Sequence, residues 1–215
     1  VIPIPNERTL ELGAERSHSH FTDELGIQDF QVNTPFPGGA SNAVKPGYPL
    51  ETGRLSEFLV ALARVWLERG FERGVRVGPF DGLVRYFVHG GKDFLCIWRD
   101  NCANEFVCID PRGHVAQCDC WATSYPESRS GNVFDSGSLS DLLRNSPARL
   151  RIQSRPGVLI RTEDCLDCNS LSIRHGGCPV RAYSGYGDLF RKDPYCALHG
   201  RIFPAVEELA ARYVS

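Results

Sequence analysis

The chain has 215 residues, 42% hydrophobic and 23% charged, which suits one large or two small domains with a buried core and excludes disorder. Lys and Arg number 24 against 26 Asp and Glu, a net charge of −2, so no cationic surplus exists for a phosphate backbone and nucleic acid is not an expected partner. No apolar run reaches the roughly 18–20 residues of a bilayer span and no signal peptide opens the chain, so the expectation is a cytoplasmic protein with no membrane partner.

In chain order, the first half predicts alternating helix and strand. Val1-Ile2-Pro3-Ile4 is a short apolar start. Residues from Thr9 to Leu25 read as helix in part, with Gly26 as a stop. Phe30 to Asn33 reads as a strand, and Pro37-Gly38-Gly39 as a turn within a loop that runs on to residue 53. Leu55 to Glu68 is the clearest helix, because Leu55, Phe58, Leu59, Leu62, Val65 and Trp66 recur at helical spacing before Gly70. A brief strand at Val75 to Val77 and a helix from Phe80 to Val88 follow. Such alternation suggests part of an α/β layer or barrel; two units are too few to close a barrel.

The second half changes character. Asp110-Pro-Arg-Gly113 suits a type I turn with Gly in the left-handed position, which predicts a hairpin of Glu105–Asp110 with His114–Trp121. That register pairs Asp110 with His114 and Phe106 with Cys118. Strand alternation would place Cys108, Cys118 and Cys120 on one face and Asp119 on the other. Ser138 to Leu143 predicts a short helix with Ser at its start. Residues 165–203 show little periodicity and are expected to be ordered by ligation to a metal centre. Ala205 to Tyr213 predicts a final helix.

Two counts stand out: nine Cys and no Met. Without Met, Val1 is not expected to be a translation start, and the chain is expected to be processed or truncated. All nine Cys lie between Cys96 and Cys196. An odd number leaves one thiol over in any purely intramolecular disulfide framework, and a chain of this size does not need disulfides. Metal or iron–sulfur ligation is the better reading of Cys96-x5-Cys102-x5-Cys108, Cys118-x-Cys120, Cys165-x2-Cys168, Cys178 and Cys196. Gly176-Gly177 before Cys178 frees the backbone to approach a bulky cluster.

The segments Cys108-Ile-Asp-Pro-Arg-Gly-His-Val-Ala-Gln-Cys118-Asp119, Cys165-Leu-Asp-Cys168 through Arg174-His-Gly-Gly-Cys178-Pro179, and Asp193-Pro-Tyr-Cys196 resemble the SPASM domain. That domain is the C-terminal extension of radical S-adenosylmethionine enzymes, among them anaerobic sulfatase-maturating enzymes and peptide maturases. Leu25 to Gln31 and Ser56 to Phe87 look like the last units of the family's partial (β/α)6 barrel. The resemblance therefore implies an α/β fold in which residues 1–93 finish the barrel and residues 94–215 form the SPASM domain.

The resemblance also implies two auxiliary [4Fe–4S] clusters. Cys96, Cys102, Cys118 and Cys178 match the ligands of the first, and Cys165, Cys168 and Cys196 match three ligands of the second. Arg174 stands at the family's fourth ligand position for that second cluster, so one expected thiolate is replaced. Cys120 or Cys108 can substitute there; alternatively the site keeps an open iron, takes a non-Cys ligand, or is not assembled. Asp119 matches a carboxylate regarded in sulfatase-maturating relatives as the base during substrate oxidation, against the plainer reading of a solvated Asp. Gln31 and Asn33 sit at a strand end that would border the S-adenosylmethionine pocket, or make ordinary strand-end hydrogen bonds.

His18 and His20 are expected to be exposed, and His175 to hydrogen-bond beside Cys178. The family's C-x3-C-x2-C loop, which binds a third [4Fe–4S] cluster and S-adenosylmethionine, occurs nowhere in the chain. As given, the chain is expected to be unable to generate a radical. The implied function is a maturase that oxidises or cross-links a side chain of a peptide or protein substrate, served by a flavodoxin or ferredoxin. The rival is a stand-alone iron–sulfur or zinc module for electron transfer or docking.

Overall fold

The computed structural model describes residues 1–35, 50–91, 94–135, 137–162 and 165–214, so the turn expected at Pro37-Gly38-Gly39 lies outside the described residues. The architecture is mixed α/β and rich in helix, in two compact units. One comprises residues 1–35, 48–95 and 195–215; the other comprises residues 36–47 and 96–194.

In the first unit, α1 (Glu7–Ser19) is started by Asn6, whose side chain accepts from the Thr9 amide at 3.0 Å while Thr9 Oγ1 accepts from the Asn6 amide at 3.2 Å. A π-helical turn, His20–Glu24, runs on to Gly26 (φ +65°). His18 is buried at 2% exposure, contrary to expectation, because the helix turns it inward against Gly70, while His20 is exposed as expected. β1 (Asp29–Gln31) pairs in parallel with β2 (Arg76–Gly78), Phe30 opposite Val77. Between them, α2 (Thr52–Arg69) is capped by the Glu51 carboxylate, which accepts from the amides of Gly53 and Arg54 at 2.6 and 2.7 Å. Its buried face is the expected one, Leu55, Phe58, Leu59, Leu62, Val65 and Trp66. α3 (Phe80–His89) ends on Gly90 in the left-handed conformation (φ +68°).

In the second unit, β3 (Cys108–Ile109) and β4 (His114–Ala116) form the hairpin in the expected register, Cys108 opposite Ala116 and Ile109 opposite Val115. The Asp110 carboxylate fixes the turn, accepting from the amides of Arg112 and His114 at 2.8 and 3.0 Å, and Gly113 takes φ +81°. The strands are shorter than expected. After Ala116 the chain turns into α4 (Asp119–Ser124), so strand alternation does not govern Cys118, Asp119 and Cys120. β5 (Gly131–Asn132) adds a third strand beside β4.

α5 (Leu139–Asn145) starts at Ser138 as expected. α6 (Pro147–Thr162) lies where the sequence predicted no element, while α7 (Leu171–Arg174) and α8 (Pro179–Tyr186) give regular structure to part of the stretch 165–203, which shows little periodicity in sequence. Pro156 and a buried Arg155 hide the α6 pattern, and Pro179 marks the first turn of α8. The core of this unit gathers Ala103, Ala116, Trp121, Ala122, Ile152, Val180 and Leu189. The final helix, α9 (Cys196–Tyr213), is twice the expected length and packs in the first unit on α2 and α3.

Candidate metal centre

Four cysteines from separate stretches of the second unit line one cavity: Cys96, Cys102, Cys118 and Cys178, walled by Ile97, Phe106, Gln117, Trp121, Pro179 and Val180. Each stands where a helical turn begins. Cys96 and Cys102 open the 3₁₀ turns Cys96–Trp98 and Cys102–Asn104, while Cys118 and Cys178 immediately precede α4 and α8. At Cys118 and Cys178 amides of the helix that follows donate toward the sulfur and oppose the effect of burial. All nine cysteines are free thiols, so no disulfide competes for them.

The four thiols act on one another electrostatically. Burial pushes Cys96 up to about 11, with Cys178 and Cys118 adding to the rise. Burial likewise raises Cys102, followed by like-charge repulsion from Cys178, Cys118 and Cys96, and burial raises Cys178. Cys118 is displaced the other way, because the Cys120 thiol donates to it and the amides of Trp121 and Cys120 do the same. The same hydrogen bond, and then burial, raise Cys120.

The four are gathered but widely spread: among the described residues, no three of them bring their sulfurs within 4.8 Å of one another. A single zinc at about 2.3 Å from each sulfur would hold them about 3.8 Å apart. As placed, the four sulfurs do not form a closed tetrahedral set. Two polar atoms of residues lining this cavity, Trp121 Nε1 and Gln117 Oε1, are buried without a hydrogen-bond partner. The Gln117 amide is oriented by its Nε2, which donates to the carbonyls of Cys102 and Phe106, both at 2.7 Å. Four soft sulfurs, an apolar wall and an indole N–H lacking an acceptor fit a polynuclear iron–sulfur group.

The other expected residues fall elsewhere. Cys165 is buried and Cys168 half-buried in the turn before α7, where Arg174 Nη2 donates to Cys168 Sγ. Cys196 begins α9. Cys120 lies with Cys118 and Asp119, their ligand atoms all within 4.8 Å; among the described residues no such grouping joins Cys120 to Cys165 and Cys168. Burial raises Cys108, as do Asp119, Cys118 and Asp110. Asp119 is exposed in the first turn of α4. Gln31 is half-buried, its Nε2 donating to the Val32 carbonyl at 3.2 Å, and Asn33 is exposed. His175 adopts φ +45° at the end of α7, directly before Gly176 and Gly177.

Three residues were missed as site residues. Asp193 is fully buried, and its Oδ2 accepts from the Cys178 amide at 2.9 Å and lies 3.4 Å from Arg181 Nε. Arg155 is 4% exposed beneath the Gly176-Gly177 turn. Asp193 stood inside a recognised motif; nothing in the sequence pattern marked Arg155.

No family model matches the chain. Over 113 residues, 51% of this chain, it is 31% identical to a PqqA peptide cyclase from Granulibacter bethesdensis, of which this match covers 28%. Its fold is similar to that of native anSMEcpe with bound AdoMet, with a TM-score of 0.76 and 18% identity over 98% of this chain and 55% of that one. It is similarly close to anSMEcpe with bound AdoMet and Kp18Cys peptide, with a TM-score of 0.75 and 19% identity over 98% of this chain and 57% of that one. The chain thus spans about half the length of the solved structures it matches and less of the curated relative. These likenesses bear out the resemblance to the C-terminal part of radical S-adenosylmethionine/SPASM enzymes.

Proposed function

We propose that this chain is the C-terminal portion of a radical S-adenosylmethionine/SPASM maturase, which oxidises or cross-links a side chain of a peptide or protein. The observation that carries this reading is the gathering of Cys96, Cys102, Cys118 and Cys178 around one apolar cavity. Likeness to a peptide cyclase and to a structure with bound peptide supports a peptide substrate. The parallel β1–β2 pair joined through α2 supports residues 1–93 as the closing units of a barrel, with residues 94–215 as the proposed SPASM domain, although its last helix, α9, packs in the first unit.

On this reading the four gathered thiolates hold a first auxiliary [4Fe–4S] cluster, which when bound supplies an electron acceptor for substrate oxidation. Cys165, Cys168 and Cys196 are three proposed ligands of a second. Arg174 cannot ligate iron and instead neutralises the Cys168 thiolate through its hydrogen bond. Cys120 and Cys108 are the candidates for the missing ligand, although the position of Cys120 beside Cys118 favours a part in the first site. Asp119 offers an exposed carboxylate next to Cys118 that can take the proton released as a substrate side chain is oxidised. Gln31 and Asn33 are the proposed neighbours of S-adenosylmethionine. The C-x3-C-x2-C loop and its third cluster, and with them radical generation, are assigned to sequence outside this chain; a flavodoxin or ferredoxin is the proposed electron donor.

Anaerobic purification with iron and sulfide tests the reading. A brown chain with iron and acid-labile sulfide, lost on Cys102→Ala, is the expected result. A colourless chain with stoichiometric zinc would replace it with the rival module for docking or electron transfer.

A further inference from the structure

Arg155 projects from α6 into the interior of the second unit and is 4% exposed. Its guanidinium makes four hydrogen bonds to backbone carbonyls: Nε to Leu189 at 2.6 Å, Nη1 to Gly177 at 2.8 Å, and Nη2 to Gly176 at 3.0 Å and Arg191 at 2.9 Å. These join two segments that are also stitched by the Asp193 amide on the Gly176 carbonyl at 2.9 Å. One segment leads directly into Cys178. Arg155 also lines a second cavity together with Cys96 and Cys102, so its charge lies beside the thiol set.

A permanent cation this deeply buried is costly to desolvate, and neutral donors could tie two carbonyl segments together. A cation is suited where negative charge accumulates, and four thiolates bring four such charges. We infer that Arg155 is the positioning residue of the first thiolate set: its fork holds the turn that presents Cys178, and its charge offsets that of the group the thiolates bind. The inference rests on the iron–sulfur reading above. A nearby cation favours the more negative, reduced state, so Arg155 raises the reduction potential of that group.

The test uses the full chain reconstituted anaerobically, as wild type, Arg155→Lys and Arg155→Met. Two readouts are needed: the potential from an EPR-monitored titration, and hydrogen exchange of the metal-free protein. Arg155→Met is expected to lower the potential by about 59 mV, tenfold in a one-electron equilibrium, and Arg155→Lys by less. In the metal-free chain both variants should exchange faster across residues 176–193, with α2 unchanged; this arm reads the positioning role even if the Met variant loads no iron. Unchanged exchange with an unchanged potential would overturn the inference. So would loss of protection throughout both variants, α2 included, since a residue the whole fold needs is not a device of this site. Failure of wild type to bind iron and sulfide would instead defeat the iron–sulfur reading itself.

Discussion

Arg181 Nε lies 3.4 Å from Asp193 Oδ2, both side chains almost wholly buried, and that same oxygen accepts the Cys178 amide at 2.9 Å. One carboxylate therefore anchors a cation and the backbone of a proposed ligand. Removing one partner of a buried pair typically costs about 3–5 kcal/mol, because the other charge stays behind. Asp193→Asn is expected to lower stability by an amount of that order and to reduce iron loading, read by denaturant titration and iron analysis. A variant with wild-type stability and iron would show that Asp193 does not anchor Cys178.

Gly177 sits at φ +71°, and a Cβ there would collide with the Asp193 side chain. The left-handed conformation alone costs an L-residue roughly 1–2 kcal/mol. Gly177→Ala should thus destabilise the chain by more than this and lower iron content. Gly187→Ala is the control: its φ is +70°, but nothing lies within 4 Å of its Cβ position, so only the conformational cost should appear. Equal losses in the two variants would refute the close approach.

If Cys102 and Cys178 ligate one cluster, Ala at either position should remove the same amount of iron and sulfide. Cys120→Ala should leave stoichiometry intact but alter the spectrum of that cluster, because the Cys120 thiol hydrogen-bonds to Cys118. If its spectrum instead matched that of Cys165→Ala, Cys120 would belong to the second site.

His18 is buried and its Nε2 has no hydrogen-bond partner. Burial lowers its pKa below 6.5, with Arg73 and Arg69 acting the same way and Asp23 opposing. The unfolded chain therefore binds a proton first as pH falls. The stability this group contributes is complete above pH 6.5 and declines as pH drops from there toward the folded value. Wild-type Tm should fall between pH 7 and pH 5.5 more steeply than that of His18→Leu; parallel curves would exclude the effect.

On the proposed reading of a longer maturase, Asp119→Asn in that protein is expected to retain cleavage of S-adenosylmethionine and lose product. Undiminished product formation would remove Asp119 from the chemistry.

The legible parts of the sequence were those whose signal is local. The Asp110-Pro-Arg-Gly113 turn specified the hairpin register, since Asp110 carries its own capping carboxylate and Gly113 its own left-handed bend. The α2 stripe and its stop at Gly70 were similarly self-contained, whereas the start was not, since the Glu51 carboxylate caps the helix from within a stretch that reads as loop. The gathering of Cys96, Cys102, Cys118 and Cys178 followed from resemblance, not from spacing. Period-2 reasoning failed at Cys118 because α4 starts there. Arg155 was illegible because its partners are carbonyls, which no sequence pattern distinguishes. The buried state of His18 depended on Gly70, a neighbour only in three dimensions.

The first unit is interrupted at Leu95 and resumes only at Tyr195, when α9 lays Leu198, Ile202, Phe203, Val206 and Leu209 inward. A cut after Pro194 is therefore not a trimming of a dispensable tail. It unroofs α2 and α3, leaving greasy faces that invite clumping. Anyone dissecting the molecule should treat the cysteine-rich stretch as a guest within a host, and graft the final helix back onto the front piece.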